Sequence, residues 1–484
     1  MKLLIIGAGE TGYHIAHELS EENLDVTLID ENQAHLQVVQ KELNVACVQG
    51  NGTSLQVLEQ AGIEGTDMVI ASTNQDETNL ICCLIAGHYG VKTKVAITKT
   101  ESFFKRNLIT KYLESGISQI INSSMVAAQE ILDIAAFASA AEVSAFGERN
   151  ILLIGYRVRA GSDLADKQLK DIRGDAAQNH FLVASIVRNG ESFIPKGLDQ
   201  ILIGDYLYIM VPRENMEQLN DFLHVRVALN RRAIVAGGGQ IAQRVVNGLL
   251  KSHYEVTHII DESEHPKVQK QMLMRRQYHL IRGKAESVKL QIEQDVPVSA
   301  LFIAATENDQ VNLTAALSAR YLGAKKTLAL INREDLATLA RAQDIDGVIS
   351  PRLLTARQVR RALYGGAGEG NFTTISETNM EVHEMVAHVS SPVLGIPLKD
   401  LKLPPNTLVG ALIKEGNQAV IADGLTVIEE GNQVVMLTLP EAVPKLRSLI
   451  EGKKSRNIVA TREDIDYDEN AKPNPVKNEE VEPE

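Results

Sequence analysis

What the chain lacks narrows its class first. Its 484 residues include only three cysteines, Cys47, Cys82 and Cys83, too few and wrongly spaced for a disulfide framework or a zinc site. Cys82 and Cys83 are adjacent in an apolar stretch, which reads as buried thiols in a reducing compartment. Long apolar runs are missing too. The run after Met1-Lys2 covers only Leu3 to Ile6 before a glycine loop begins, which argues against a secretory signal peptide. No stretch approaches the ~18 apolar residues of a membrane-spanning helix. Long runs of Lys and Arg are absent and the formal net charge is −13. No nucleic-acid partner is therefore expected, because phosphate binding needs a dense basic surface. Neither HExxH, GxSxG nor a P-loop lysine motif occurs.

What is there is a repeat over nearly the whole length. KLLIIGAGETGYHIAHEL at the start is answered about 230 residues later by RAIVAGGGQIAQRVVNGL from Arg232. VTLIDE from Val26 answers VTHIIDE from Val256, with one extra residue in the second copy. DMVIASTNQDETNL from Asp67 answers ALFIAATENDQVNL from Ala300, and GISQIINSS from Gly116 answers DIDGVISPR from Asp344 less closely. Downstream, LKDI at Leu169 matches LKDL at Leu398, and alternating β-like stretches follow both.

Within each large unit, short apolar runs alternate with helical patterns, which indicates a parallel sheet with helices on both faces. The expected class is α/β: two tandem Rossmann-like, doubly wound domains, each followed by a small α+β accessory domain. The expected bounds are 1–144, 145–228, 229–368 and 369–452, with linkers near Ala228–Arg232 and Gly365–Gly370 and a tail from 453 to 484. Nine of the residues from Glu463 onward are acidic and two are basic, a composition that predicts disorder.

Gly7, Gly9 and Gly12 form G-x-G-x-x-G directly between a strand and a helical pattern. Gly7 permits the tight turn, Gly9 lets backbone approach a pyrophosphate, and Gly12 allows close helix–strand packing. The helix N-terminus then faces the phosphates. Asp30 follows at the end of the second strand, where a carboxylate accepts hydrogen bonds from ribose hydroxyls. It would repel a 2′-phosphate, favouring NAD(H) or an adenine nucleotide over NADP. Asn51 and Thr53 either flank the adenine or start a helix. Ser72, Thr73 and Asn74 follow the fourth strand and are candidates for the far end of the ligand. Asp76 and Glu77 read as an exposed helix start.

The second copy carries Gly237, Gly239 and Ala242 with Asp261 beyond. It binds ligand or is a structural duplicate; Gly283-Lys284-Ala285 in place of Gly50-Asn51-Gly52 weakens the adenine-side match. The accessory units offer no positioned acid or base of the kind hydride transfer to a bound substrate needs. His180, His383 and His388 read as surface or packed residues. Cofactor binding without catalytic equipment suggests sensing.

In GAGETG with VTLID, in IASTNQDETN, and in the duplicated segments GSDLADKQLKDI and SPVLGIPLKDL, the chain resembles the TrkA-like regulatory subunits of bacterial Trk potassium-uptake systems. Their units are domains that regulate potassium conductance, called RCK or KTN domains. The resemblance covers about residues 1–451. It implies a non-enzymatic peripheral protein on the cytoplasmic face of the membrane, a homotetramer seated on a potassium-translocating subunit and binding NAD(H), ATP or ADP. Gly7, Gly9, Gly12 and Asp30 carry over as nucleotide contacts, as do Gly237, Gly239 and Asp261. Relatives often place an arginine at the end of the fifth strand, where Ile97-Thr98-Lys99 and Leu330-Ile331-Asn332 stand here. The rival readings are an NAD-dependent oxidoreductase and a cytosolic scaffold with vestigial sites. The apolar stretch from Ile131 to Val143 is expected to be one helix, either packing within its own domain or crossing to a neighbouring subunit through Ala135, Ala138 and Ser139.

Overall fold

The computed structural model describes residues 1–20, 24–100, 106–137, 140–147, 149–159, 162, 164–175, 181–223, 231–263, 276–364, 372–374 and 380–452. The acidic tail, the join at 365–370, residues 228–230, His180, Ala138 and Ser139 lie outside them.

Six runs of apolar residues form the first sheet: β1 Lys2–Ile6, β2 Asp25–Asp30, β3 Ala46–Gln49, β4 Met68–Ala71, β5 Thr93–Thr98 and β6 Gln119–Asn122. The order is 3-2-1-4-5-6 and every pair is parallel. That order places the reversal of winding between β1 and β4, where doubly wound sheets bind ligands. The central strands are buried on both faces, as their nearly continuous apolar sequences require.

A five-stranded antiparallel sheet follows: β7 Glu142–Phe146, β8 Ile151–Arg157, β9 Leu182–Arg188, β10 Glu191–Phe193 and β11 Tyr206–Pro212, ordered 10-9-11-8-7. β7 straddles residue 144 and pairs wholly with β8. The second copy repeats both sheets. Its parallel sheet comprises β12 Arg232–Ala236, β13 Glu255–Ile260, β14 Tyr278–Arg282, β15 Leu301–Ala304, β16 Thr327–Leu330 and β17 Gly347–Ile349, ordered 14-13-12-15-16-17. Its antiparallel sheet comprises β18 Phe372–Thr374, β19 Glu381–Val386, β20 Leu408–Lys414, β21 Gln418–Ile421 and β22 Gln433–Thr438, ordered 18-19-22-20-21.

The two copies are joined by an exchange of helices. After β6 the helix Ser123–Ala136 buries Ile131 and Ile134 in a core that contains Ala233, Val235, Val245 and Leu249 of the second copy. After β17 the helix Pro351–Tyr364 buries Ala356 and Val359 in a core with Leu3, Ile5, Ile15 and Leu19 of the first. Each sheet thus completes its core with the crossover helix of the other copy. Leu132 seats over Gly248, where any Cβ would overlap its side chain. The apolar face with Ile131 and Ile134 is therefore covered by the second half of the same chain, and not by its own domain alone. Both accessory sheets also pack together, through Phe146, Leu153 and Met210 against Val382, Ile413 and Val435.

The helix expected over 131–143 ends at Ala136, and β7 begins at Glu142. Its end is set by a tertiary contact. Lys326 donates from Nζ to the carbonyls of Ile134 at 2.6 Å and Phe137 at 2.7 Å, adding a side-chain donor to helix-end acceptors that otherwise have only Phe137 N and Ala140 N.

Candidate functional site

The first glycine loop is locked by contacts that leave no room for a side chain at Gly7 or Gly12. Gly7 has φ +104°, and a Cβ there would lie 2.8 Å from the backbone N of Thr73. A Cβ on Gly12 would overlap the Gly7 carbonyl, whereas one on Gly9 would meet nothing within 4 Å. Gly9 is the open face of the loop, at the start of the helix Glu10–Ser20. Asp30 ties the loop to the end of β2: Oδ2 accepts from Ala8 N at 2.6 Å and Oδ1 from Asn32 N at 2.7 Å. A carboxylate pinned this way keeps lone pairs for ribose hydroxyls beside the glycine loop.

Asn51 and Thr53 face each other rather than the loop. Asn51 Oδ1 accepts from Thr53 N at 2.7 Å and Thr53 Oγ1 at 2.6 Å, a local turn leading into the helix Leu55–Gln60. Ser72 is buried and donates to the carbonyls of Ile6 at 3.2 Å and Gly7 at 3.1 Å; it braces the glycine loop from below. Thr73 donates from N and Oγ1 to Asn79 Oδ1, at 2.8 and 2.6 Å. Asn74 is exposed and accepts from Lys99 Nζ at 3.2 Å.

Two residues that sequence reasoning passed over or misplaced organise this edge. Asn79 is fully buried and donates from Nδ2 to Thr73 O at 3.0 Å and Ile97 O at 2.7 Å, clamping the loop after β4 to the end of β5. Asp76, expected to be exposed, is 6% exposed. Its carboxylate accepts from Lys99 N at 2.9 Å and Thr100 N at 2.7 Å, because the chain leaving β5 turns over the helix start and needs its amides paired. Glu77 is exposed. The second copy repeats both devices: Asn312 bonds Thr306 and Leu330, and Asp309 accepts from Asn332 N and Arg333 N. The shared Asn in TNQDETNL and TENDQVNL was the available signal. Arg352, at the start of the other copy's crossover helix, ion-pairs with Glu10 beside the glycine loop.

At the second loop Gly237 repeats the strained turn, with φ +122° and a Cβ position 2.8 Å from Thr306 N. Gly239 is open on the side facing Glu307, and Ala242 is fully buried. The strand register, however, displaces the acidic residue. Ile6 pairs with Ile29 in the first sheet and Ala236 with Ile259 in the second. Asp30 therefore corresponds to Ile260, which is buried, and Asp261 stands one residue further on. Its Oδ1 accepts from Ser263 N at 3.0 Å and Oγ at 2.6 Å, and these two bonds hold its carboxyl below the usual range. His258 is buried where the first copy has Leu28; its Nε2 lies 2.7 Å from Gly237 O and its Nδ1 2.9 Å from the Tyr278 hydroxyl. The underside of this loop is thus filled by the protein itself.

Residues 3–123 and 233–351 both match the TrkA-N domain family, and residues 153–224 and 382–451 match the TrkA-C domain family. The chain belongs to the TrkA family. It is 27% identical to Trk system potassium uptake protein TrkA homolog 1 of Methanosarcina mazei, over 92% of this chain and 99% of that protein. It is 29% identical to Trk system potassium uptake protein TrkA of Halomonas elongata, over 91% and 96%. Among solved structures it resembles the GsuK RCK domain, with TM-score 0.60 and 16% identity over 93% of this chain and 95% of that one. The GsuK channel bound to NAD gives TM-score 0.59 and 16% identity over 93% and 79%. This TrkA-family chain thus has tandem RCK-type architecture. Among its described residues no helix is long and apolar enough to cross a membrane.

Proposed function

We propose that the chain is a nucleotide-sensing regulatory subunit that gates a potassium-translocating membrane protein of Trk type. It works as a homotetramer held peripherally on the cytoplasmic face of the membrane. The observation that carries this reading is the match of both copies to TrkA-family proteins over nearly full length, combined with a first glycine loop whose Asp30 stands in register at the ribose position. A fold neighbour, the GsuK channel, binds NAD. NAD(H), ATP or ADP would lie across Gly7, Gly9 and Gly12, with the ribose on Asp30 and the distal half toward Thr73 and Asn74.

A ligand shifts an assembly only by binding its two shapes unequally. A tenfold preference per site is worth about 1.4 kcal/mol, and four coupled sites give about 5.5 kcal/mol, enough to move an equilibrium from roughly 1:99 to 99:1. The second loop, with Ile260 at the ribose position, is read as a structural duplicate that holds the exchanged helix Ser123–Ala136.

Calorimetric titration with NADH and with ATP tests the site. Charged hydrogen bonds contribute about 1.5–3 kcal/mol, so Asp30→Ala should weaken binding tenfold or more and Asp261→Ala less than threefold. Equal losses, or a larger one at Asp261, would overturn the assignment. Co-purification with a potassium-translocating membrane protein tests the gating role; steady hydride transfer by the isolated chain would favour the oxidoreductase instead.

A further inference from the structure

We propose that the cavity between the first accessory domain and the second large domain is a separate ligand site, built for a nucleoside monophosphate. It lies outside both glycine loops and stands independently of what they bind. Its walls come from three parts of the chain: Glu130 from the helix Ser123–Ala136, Tyr156, Arg157 and Tyr206 from the β8–β11 pair, and Arg341 and Arg357 from the second large domain. The volume is about 280 Å³. Ligand pockets run from about 300 to 1,000 Å³, so this one lies just below the small end, with room for one nucleotide at most and none for a dinucleotide.

Charge selects an anion. Five cationic side chains, Arg157, Arg159, Lys325, Arg341 and Arg357, line the cavity against three acidic ones, Glu130, Glu142 and Asp346. The acids are already engaged. Asp346 accepts from Arg159 at 2.7 Å, from Thr327 N at 2.8 Å and from Arg320 at 3.5 Å. Glu142 pairs with Arg357 at 3.5 Å and accepts from the Tyr208 hydroxyl at 3.0 Å. Burial chiefly, and then Glu142, push Glu130 up to about 8, so at neutral pH it is an acid that can donate to a phosphate oxygen rather than repel it.

Two of the arginines form ion pairs with exposed carboxylates, and Arg157 also donates to the Arg341 carbonyl at 3.1 Å. Arg157 lies 3.7 Å from Asp344, and Arg341 lies 3.1 Å from Glu334; those carboxylates are 53% and 67% exposed. Such pairs contribute about 0–1 kcal/mol, so a phosphate can replace them at small cost and gain charge-assisted, bidentate geometry. The rings of Tyr156 and Tyr206 offer a face on which a base can stack. Gly155 makes space for one of them, since a Cβ there would lie 2.8 Å from Tyr206 Cε1. A ligand seated here touches an accessory domain, a crossover helix and the opposite copy at once, so its occupancy fixes their mutual angle.

The test is calorimetric titration of the full chain with AMP. Wild type and Asp30→Ala should take up one AMP per chain alike. Arg341→Gln should weaken it tenfold or more, and Lys325→Gln, an exposed rim position whose loss cannot unfold the chain, about threefold. Absence of AMP uptake at millimolar concentration overturns the proposal. So does uptake that Asp30→Ala abolishes while Arg341→Gln and Lys325→Gln leave it intact, a result that would place AMP in the first glycine loop. Loss of NADH binding alone in Asp30→Ala bears only on the glycine-loop reading.

Discussion

Lys326 offers a quantitative probe of how the two halves hold together. It belongs to the second copy, is 7% exposed, and donates to two carbonyls at the end of the first copy's crossover helix. Burial, opposed by Asp346 and reinforced by Arg159, brings its amine from 10.5 down to about 7. A neutral amine still has two N–H donors, one for each carbonyl. The sign follows from proton counting. Between about pH 7 and pH 10 the unfolded chain holds a proton that the folded chain has released, so this contribution to stability rises with pH, by at most ~1.4 kcal/mol per unit. Lys326→Met removes both the titration and the two donors, leaving each helix-end carbonyl with its backbone donor alone, Phe137 N at 3.4 Å and Ala140 N at 3.1 Å, at about 0.5–1.5 kcal/mol for each bond lost. It also relieves the burial of a charge, which matters most at low pH. The variant should therefore be weakest relative to wild type at pH 9 and closest to it at pH 6, the gap differing by about 2–3 kcal/mol. Urea unfolding followed by circular dichroism at pH 6, 7.5 and 9 measures this, with shifts of the same transition compared between the proteins. A gap that stays constant across that range would show that the amine remains charged, and the reasoning would fail.

Two further outcomes follow from half-buried Glu130 and buried Asn79. Glu130, raised to about 8, keeps its proton in the folded chain where the unfolded chain has lost it. Its contribution is complete below pH 4.5 and disappears as pH rises through 8, so Glu130→Gln should gain on wild type between pH 5 and pH 8; a variant that loses ground over that interval refutes the shift. Asn79→Ala removes four hydrogen bonds around Thr73 and Ile97 and should cost about 2–4 kcal/mol. It should also reduce nucleotide affinity at the first loop, while Asn312→Ala, with a similar thermal shift, should leave that affinity unchanged. A thermal midpoint of Asn79→Ala equal to wild type would show that the clamp adds nothing to stability.

The amino-acid order alone determined the duplication, the parallel sheets and the first glycine loop. These rest on local rules: apolar runs broken by helical spacing, glycines at fixed offsets, a carboxylate at a strand end. It could not place Asp261. The extra residue in VTHIIDE was visible, but only strand pairing decides whether an added residue lies inside the strand or beyond it, and a slip of one position removes a side chain from its site. Apolar coverage of the Ile131 stretch announced burial without naming the surface that covers it, since hydrophobic burial is not directional. Small residues such as Ala135 suit many partners, and the helix end depends on Lys326, 190 residues downstream of Ala136. The exchange of crossover helices, the cavity between accessory and large domains, and the shifted acidities of Glu130 and Lys326 all arise from contacts between distant segments. Such contacts exist only once the two copies are packed, because desolvation and pairing are properties of the assembled interior rather than of the residue.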